Sequence, residues 1–141
     1  MQGLYLDELS VGQSAEMVRV VGAADIEAFA AVSGDVNPVH LDEEFAATTS
    51  FGERIAHGML AASFISALMG TKLPGPGVIY LTQSLKFRRP VKIGDEVTTR
   101  VTITALDERR AYATLKTVCE VGGKAVLDGE AMVIVPRRPA A

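Results

Sequence analysis

Apolar and polar residues alternate along the second half of the chain, and this period of two predicts the strands of an antiparallel sheet. Gly122 and Gly123 supply a two-residue hairpin turn between two of these strands. A weaker alternation through Met17, Arg19 and Val21 predicts one more strand near the start of the chain. The five predicted strands are 16–21, 78–87, 97–105, 113–121 and 124–135.

The first half of the chain contains two segments with a helical period. From residue 23 onwards the apolar positions lie on one face, and Gly34 ends this helix. Residues 58–69 form a second predicted helix, in which only Ser63 and Ser66 interrupt the apolar residues. Because this helix is apolar all round, we expect it to be buried on every side. A long buried helix beside an antiparallel meander predicts an α+β layer arrangement.

The length of 141 residues predicts one domain, 1–141, with a loose Pro/Arg-rich tail at 136–141. A content of 48% hydrophobic and 22% charged residues is typical of a globular protein, and the net charge of −3 argues against a nucleic-acid partner. Cys119 is the only cysteine, so we expect no disulfide, and with two histidines we expect no metal cluster. Without a signal-like or membrane-spanning segment, we expect a cytoplasmic protein and no membrane partner.

A carboxylate, an amide and an imidazole lie close together at residues 35–40. The glycine and the Asn-Pro pair in this stretch disfavour regular helix, so we expect Asp35 and His40 to project from a rigid, irregular loop. A carboxylate beside a neutral imidazole can hold one water molecule and move its protons. The same residues also fit an Asx turn that ends a helix, with His40 hydrogen-bonded nearby.

The stretch SGDVNPVHLD at 33–42 resembles the signature of the MaoC-like (R)-specific enoyl-CoA hydratases, also called hydratase 2. The family motif reads S/T-G-D-x-N-P-x-H, and every fixed position is matched. The resemblance extends to the helix opening His57-Gly58-Met59 and to the segment FRRPV at 87–91. It implies that Asp35 and His40 are the catalytic pair.

The resemblance also implies a hot-dog fold, in which a curved antiparallel five-stranded sheet wraps around the long buried helix. It implies a homodimer, or a dimer of dimers, with active sites near the subunit interface. The implied reaction is the reversible hydration of trans-2-enoyl-CoA to (3R)-hydroxyacyl-CoA. The hydro-lyase would need no cofactor, because coenzyme A enters as part of the substrate.

Three further residues are candidates for supporting roles. Gly58 at the helix start can offer its N–H to the enolate oxygen, although ordinary helix-start geometry also explains a glycine here. Asn37 either orients the pair or braces the turn before proline. The resemblance places Ser66 beside the catalytic aspartate, whereas a lone hydroxyl on a buried helix commonly bonds its own helix carbonyl.

Substrate contacts are predicted in two places. Met59 and Met69 are flexible apolar side chains that suit either an acyl tunnel or ordinary core packing. Four cations within seven residues suit either the phosphates of coenzyme A or a solvated strand end. These cations are Lys86, Arg88, Arg89 and Lys92.

Alternative assignments remain at this stage. His57 is the other candidate base, and we prefer His40 because it shares a loop with Asp35 and matches the catalytic position of the family. A dehydratase that acts on acyl-carrier-protein or on specialised acyl-CoA substrates is the nearest alternative function. The fold also hosts thioesterases, against which the motif at 33–40 argues. A non-catalytic subunit would be expected to lack Asp35 or His40, and both are present.

Overall fold

The computed structural model describes residues 2–140 as an antiparallel sheet with helices beside it. The strands are β1 Ser14–Val20, β2 Ile79–Gln83, β3 Lys86–Phe87, β4 Glu96–Asp107, β5 Tyr112–Val121 and β6 Lys124–Ile134. The helices are α1 Ala23–Ser33, α2 Pro38–Leu41, α3 Glu43–Ala47 and α4 Gly58–Thr71, with a 3₁₀ turn at Leu6–Glu8. The sheet order is β1-β4-β5-β6-β2, and the short β3 pairs with β6. The predicted α+β class is confirmed, and so are the predicted strands that correspond to β1, β4, β5 and β6.

The segment 78–87, predicted as one strand, is interrupted in the structure. β2 ends at Gln83 and β3 begins at Lys86. Between them the Ser84 carbonyl oxygen occupies the position where Gly129 of β6 would carry a side chain. The prediction of a continuous strand was therefore wrong, because the chain crosses closely over β6 at this glycine.

α4 is the long central helix, and it packs one face against β4 and β5. The side chains on this inner face include Leu60, Phe64, Ile65, Leu68 and Met69, all of which are buried. The prediction that α4 is buried on every side was wrong for the single chain, because another stripe of the helix is exposed. Its residues share one face of the helix, which we call the α4 outer face. They are Met59, Ser63, Ser66 and Ala67.

β2 lies at one end of the sheet, and no strand pairs with its outer edge within residues 2–140. Ile79, Tyr80 and Leu81 on this strand are apolar and remain exposed, with Ile79 at 57%. An edge of this kind offers free backbone N–H and C=O groups together with apolar side chains, and it is suited to pairing with another strand.

The only cysteine lies in the core between the sheet and α4. Cys119 of β5 is fully buried, and its Sγ lies 3.4 Å from the Thr99 hydroxyl and 3.5 Å from the Ala61 carbonyl oxygen. Burial raises the pKa of the Cys119 thiol to about 11, and the hydrogen bond from Thr99 opposes this only in part. The Cys119 thiol is free in the structure.

The C-terminal tail, predicted to be loose, makes specific contacts as far as Arg138. The Leu6 N–H donates to the Pro136 carbonyl over 2.9 Å. Arg138 pairs with Asp7 at 3.0 Å, and its guanidinium lies 4.9 Å from the centre of the Tyr5 ring. This part of the tail is therefore held against the start of the chain.

Candidate active site

The loop predicted at 35–40 is partly helical in the structure, and this part of the prediction was wrong. α2 begins at Pro38, and His40 lies on its single turn. Proline is compatible with the first helical position, where its missing N–H would have no intrahelical partner. Asn37 caps this turn by accepting the Val39 N–H at 3.2 Å, so it braces the segment.

Asp35 lies in the connection between α1 and α2, immediately after the glycine that ends α1. Gly34 has a φ of 79°, a left-handed conformation that glycine adopts without steric cost. The Asp35 N–H donates to the Ser33 hydroxyl at 3.1 Å, and the Asp35 carboxylate accepts the Asn37 N–H at 3.2 Å. The residue is exposed in the single chain, so its carboxylate is accessible to water and substrate.

His40 is buried, and its surroundings define its tautomer. Its Nδ1 lies 2.8 Å from the Ile55 carbonyl oxygen. A carbonyl oxygen only accepts, so in the neutral ring Nδ1 carries the hydrogen and Nε2 keeps a free lone pair. Arg54 donates from Nε to the His40 carbonyl at 2.7 Å, which fixes the backbone below the ring. His40 Nε2 is therefore suited to accept a proton.

His57 lies directly against this pair, and its place there was not predicted. Its ring stacks on His40 with the centroids 3.9 Å apart and the planes inclined by 29°. One carboxylate oxygen of Asp35 and one nitrogen of each histidine lie within 4.8 Å of one another. In the sequence His57 was an alternative to His40 as the base, whereas the structure brings both together. The signal that could have placed His57 in the site was its position directly before Gly58, which was itself a candidate site residue.

The same three side chains have the composition of a two-histidine, one-carboxylate metal site. Each imidazole already uses one nitrogen on a backbone carbonyl, since His40 Nδ1 faces Ile55 and His57 Nε2 faces Asp35. The expectation that the chain holds no metal cluster stays a prediction, and metal analysis of the purified protein tests it.

A cavity of about 480 Å³ opens onto these side chains. Asp35, His40 and His57 lie along it, and so does Gly58 at the start of α4. Apolar groups form much of the remaining wall. They include Phe51, Ile55, Met59, Ala61, Phe87, Val91, Val126 and Leu127. The arrangement places an acid–base pair at the edge of an apolar space that an acyl chain can occupy.

Gly58 is the first residue of α4, where the N–H groups have no partner within the helix. The Phe87 ring packs against it, with ring atoms 2.7 Å from the position that a Cβ would take. Glycine is therefore required here for the close approach of Phe87. The positive end of the helix dipole and a free N–H both lie beside the cavity.

Ser66 and Met69 are among the predicted site residues that do not line this cavity in the single chain. Ser66 is exposed on the α4 outer face, eight residues after Gly58, which corresponds to about 12 Å along the helix. Met69 is 1% exposed and belongs to the core. Met59, by contrast, lines the cavity and is 54% exposed.

The four predicted cations differ in their partners. Arg88 forms a two-pronged bond to Asp128 at 2.5 and 3.2 Å, and this hydrogen bond holds the pKa of Asp128 below its usual range. Lys92 lies 3.4 Å from Glu53 and does not line the cavity. Arg89 donates to the backbone carbonyl of Ala125 at 2.8 Å, and within residues 2–140 it pairs with no carboxylate.

A second, more open cavity adjoins the first. Lys86 joins Phe87, Arg88 and Arg89 in its lining, and the last three residues also line the first cavity. The basic surface therefore continues directly from the mouth of the apolar space.

Within the part of the chain that the structure describes, no helix is long and apolar enough to cross a membrane.

Comparisons with known proteins agree with this architecture. The MaoC like domain model matches residues 9–129. An (R)-specific enoyl-CoA hydratase from Rhodospirillum rubrum is 52% identical, covering 95% of this chain and 93% of that protein. A 3-hydroxybutyryl-CoA dehydratase from Methylorubrum extorquens is 48% identical, covering 96% of this chain and 86% of that protein.

A solved structure of an unliganded R-hydratase from Pseudomonas aeruginosa superposes with a TM-score of 0.92 at 47% identity, covering 96% of this chain and 88% of that one. The fold is therefore the hot-dog fold, and Asp35 and His40 lie together at its cavity. The chain belongs to the MaoC-like domain family.

Proposed function

We propose that this chain is an (R)-specific enoyl-CoA hydratase that reversibly converts trans-2-enoyl-CoA and water to (3R)-hydroxyacyl-CoA. The observation that carries the proposal is the pairing of Asp35 and His40, in which a carboxylate oxygen and a ring nitrogen lie within 4.8 Å, at an apolar cavity that also contains the start of α4. The 52% identical relative bears the same function in its name, which supports the assignment.

In the proposed reaction one water molecule bridges Asp35 and His40, whose polar atoms lie within 4.8 Å. His40 Nε2 takes one proton as the water oxygen bonds to C3 of the enoyl group, and Asp35 accepts a hydrogen bond from the other. The electrons of the double bond move to the thioester oxygen. The protonated His40 then returns its proton to C2, which restores the neutral ring. Atoms and charge balance without a cofactor.

The enolate oxygen needs a donor while its negative charge develops. The N–H of Gly58 serves this role in our proposal, because it is free at the amino end of α4 and lies beside the cavity. The acyl chain then extends along the apolar wall, and Met59 contacts it near the mouth.

The assay that tests this function compares crotonyl-CoA, octenoyl-CoA and an acyl-carrier-protein thioester, with chiral analysis of the products. We expect hydration of a CoA ester to the (3R) alcohol. Formation of the (3S) product would contradict the assignment. Free coenzyme A as the main product would also contradict it and would indicate a thioesterase.

The phosphates of coenzyme A are proposed to bind at the basic mouth, chiefly through Lys86 and Arg89. We expect Lys86→Gln with Arg89→Gln to raise KM for the CoA ester about tenfold or more, because a hydrogen bond to a charged group contributes roughly 1.5–3 kcal/mol. The effect on kcat should be smaller, since these contacts hold substrate and transition state alike. Steady-state kinetics at low and high salt measure both parameters. High salt should reduce the difference in KM between the parent enzyme and the double variant.

The matched control removes two positive charges elsewhere. Arg109→Gln with Arg110→Gln changes the exposed turn between β4 and β5, at the opposite end of β5 from the cavity. This variant should keep the KM of the parent enzyme. An equal rise of KM in both double variants would show that net charge, and not the mouth, determines binding.

We also propose that the chain forms a homodimer through the α4 outer face and the β2 edge. Both surfaces are exposed in the single chain. The α4 outer face is rich in small residues, and the β2 edge carries apolar side chains. A two-fold contact would pair each surface with its own copy. It would also cover Ser66, which is exposed on the α4 outer face of the single chain.

The dimer is tested by placing a charge on the proposed contact. Ala67→Glu should shift the protein from dimer to monomer in size-exclusion chromatography with light scattering, because an isolated carboxylate is costly to bury. Val32→Glu, at a position that is 83% exposed on α1, is the control and should leave the dimer unchanged. A dimeric Ala67→Glu protein would exclude this surface as the interface.

A further inference from the structure

His57 is the one group of the catalytic cluster to which the proposed chemistry gives no task. It is 2% exposed and immediately precedes α4, so its backbone is fixed by the start of the helix. The Phe29 ring lies against it at 4.8 Å on one side, and His40 stacks on it at 3.9 Å. A side chain held by neighbours to this extent has a single orientation.

The two ring nitrogens of His57 have different surroundings. Nε2 lies 2.9 Å from the carbonyl oxygen of Asp35, so Nε2 carries the hydrogen and donates it. Nδ1 is buried and has no hydrogen-bond partner among the described residues. In the neutral ring the hydrogen therefore lies on Nε2, and the Nδ1 lone pair faces a buried position.

The bond from His57 is also the one that ties Asp35 to the body of the fold. The two other hydrogen bonds of Asp35 reach only Ser33 and Asn37, within its own segment. His57 comes from the start of α4, 22 positions away in sequence. It thus connects the carboxylate segment, the His40 ring and the helix start, the three parts whose relative positions determine the reaction.

We infer that His57 is a positioning residue that sets Asp35 against His40 through its Nε2–H bond to the Asp35 carbonyl. It does not touch the reacting atoms and exchanges no proton with them. The inference rests on the proposed hydratase function, which it deepens by assigning the second histidine. A displacement of about 1 Å at reacting groups can cost about 10²-fold in rate, so loss of this bond should lower kcat while KM changes little.

Two isosteric amides separate this role from simple packing. In His57→Gln the side-chain amide nitrogen stands the same number of bonds from the backbone as Nε2, so it can still donate to the Asp35 carbonyl. In His57→Asn the amide nitrogen stands at the position of Nδ1 and falls short. His57→Phe keeps the ring stack and removes the donor. We expect a kcat loss of about 10²-fold in the Asn and Phe variants and a loss several times smaller in the Gln variant.

A readout independent of catalysis keeps this test separate from that of the function. Amide hydrogen exchange of the 33–41 segment should become faster in the Asn and Phe variants and stay near the parent rate in the Gln variant. If the parent protein hydrates no enoyl thioester, the proposed function fails, and the exchange result still decides the role of His57. Parent-like kcat and exchange in His57→Asn, or equal losses in Gln and Asn, would overturn the inference.

Discussion

Asp35→Asn and His40→Asn should each lower kcat by about 10²–10⁴-fold, the usual contribution of a positioned acid or base. Both changes preserve the local hydrogen bonds. An asparagine at 35 still accepts the Asn37 N–H, and the amide nitrogen of an asparagine at 40 takes the place of Nδ1 and donates to the Ile55 carbonyl. The Asp35 variant loses the carboxylate that accepts a hydrogen bond from the bridging water. The His40 variant loses the imidazole nitrogen that takes a proton from it. Steady-state kinetics with crotonyl-CoA measure the loss.

The double variant and a nearby carboxylate that does not line the cavity complete this experiment. Residues that act as one unit give non-additive losses, so the double variant should lose little more than the worse single variant. Asp42→Asn is the matched control, because Asp42 caps α3 through Glu44 and Phe45 and asparagine caps equally well. Near-parent hydration by a folded Asp35→Asn protein would remove Asp35 from the mechanism.

Gly58→Ala should lower kcat/KM by about 10²–10³-fold, the typical cost of losing one oxyanion donor. The new methyl group would stand 2.7 Å from atoms of the Phe87 ring, beside the N–H that is proposed to bind the thioester oxygen. Because the methyl group and the displaced ring both crowd that position, the thioester oxygen can no longer approach the donor. Kinetics with the CoA ester and a crystal structure with bound acyl-CoA give the two measurements.

Two further variants distinguish the loss of access to the Gly58 N–H from the displacement of the Phe87 ring. Phe87→Ala in the Gly58→Ala background removes the clash, and we expect the loss to remain in large part, since the methyl group still covers the donor. Full recovery would assign the effect to Phe87 alone. Gly70→Ala is the control on the same helix, where a Cβ meets nothing within 4 Å. It should leave activity intact and stabilise the helix by roughly 0.5–1 kcal/mol.

Local patterns in the sequence predicted most of the elements, because those elements depend on near neighbours. α1 ends at Gly34, and Gly122 with Gly123 turns β5 into β6, as expected. Alternation located the long strands for the same reason. Asp35 and His40 share a cavity with the start of α4, which the family motif also implied.

The features that were missed depend on contacts between distant segments. The break between β2 and β3 arises from the crossing over Gly129, which no local pattern records. The exposed face of α4 shows that apolar composition does not reveal whether a surface is covered by its own chain or by another. The stacking of His57 on His40 joins residues 17 positions apart, and it depends on the path of the chain between them.

The sealed position of Cys119 has a chemical consequence for a protein that handles thioesters. A thiolate can attack an acyl thioester and carry the acyl group away on the protein, and this exchange requires an ionised, accessible sulfur. Here the only thiol lies behind α4 with a pKa of about 11, and it is fully buried. Cys119 is therefore not expected to take an acyl group from a thioester at neutral pH.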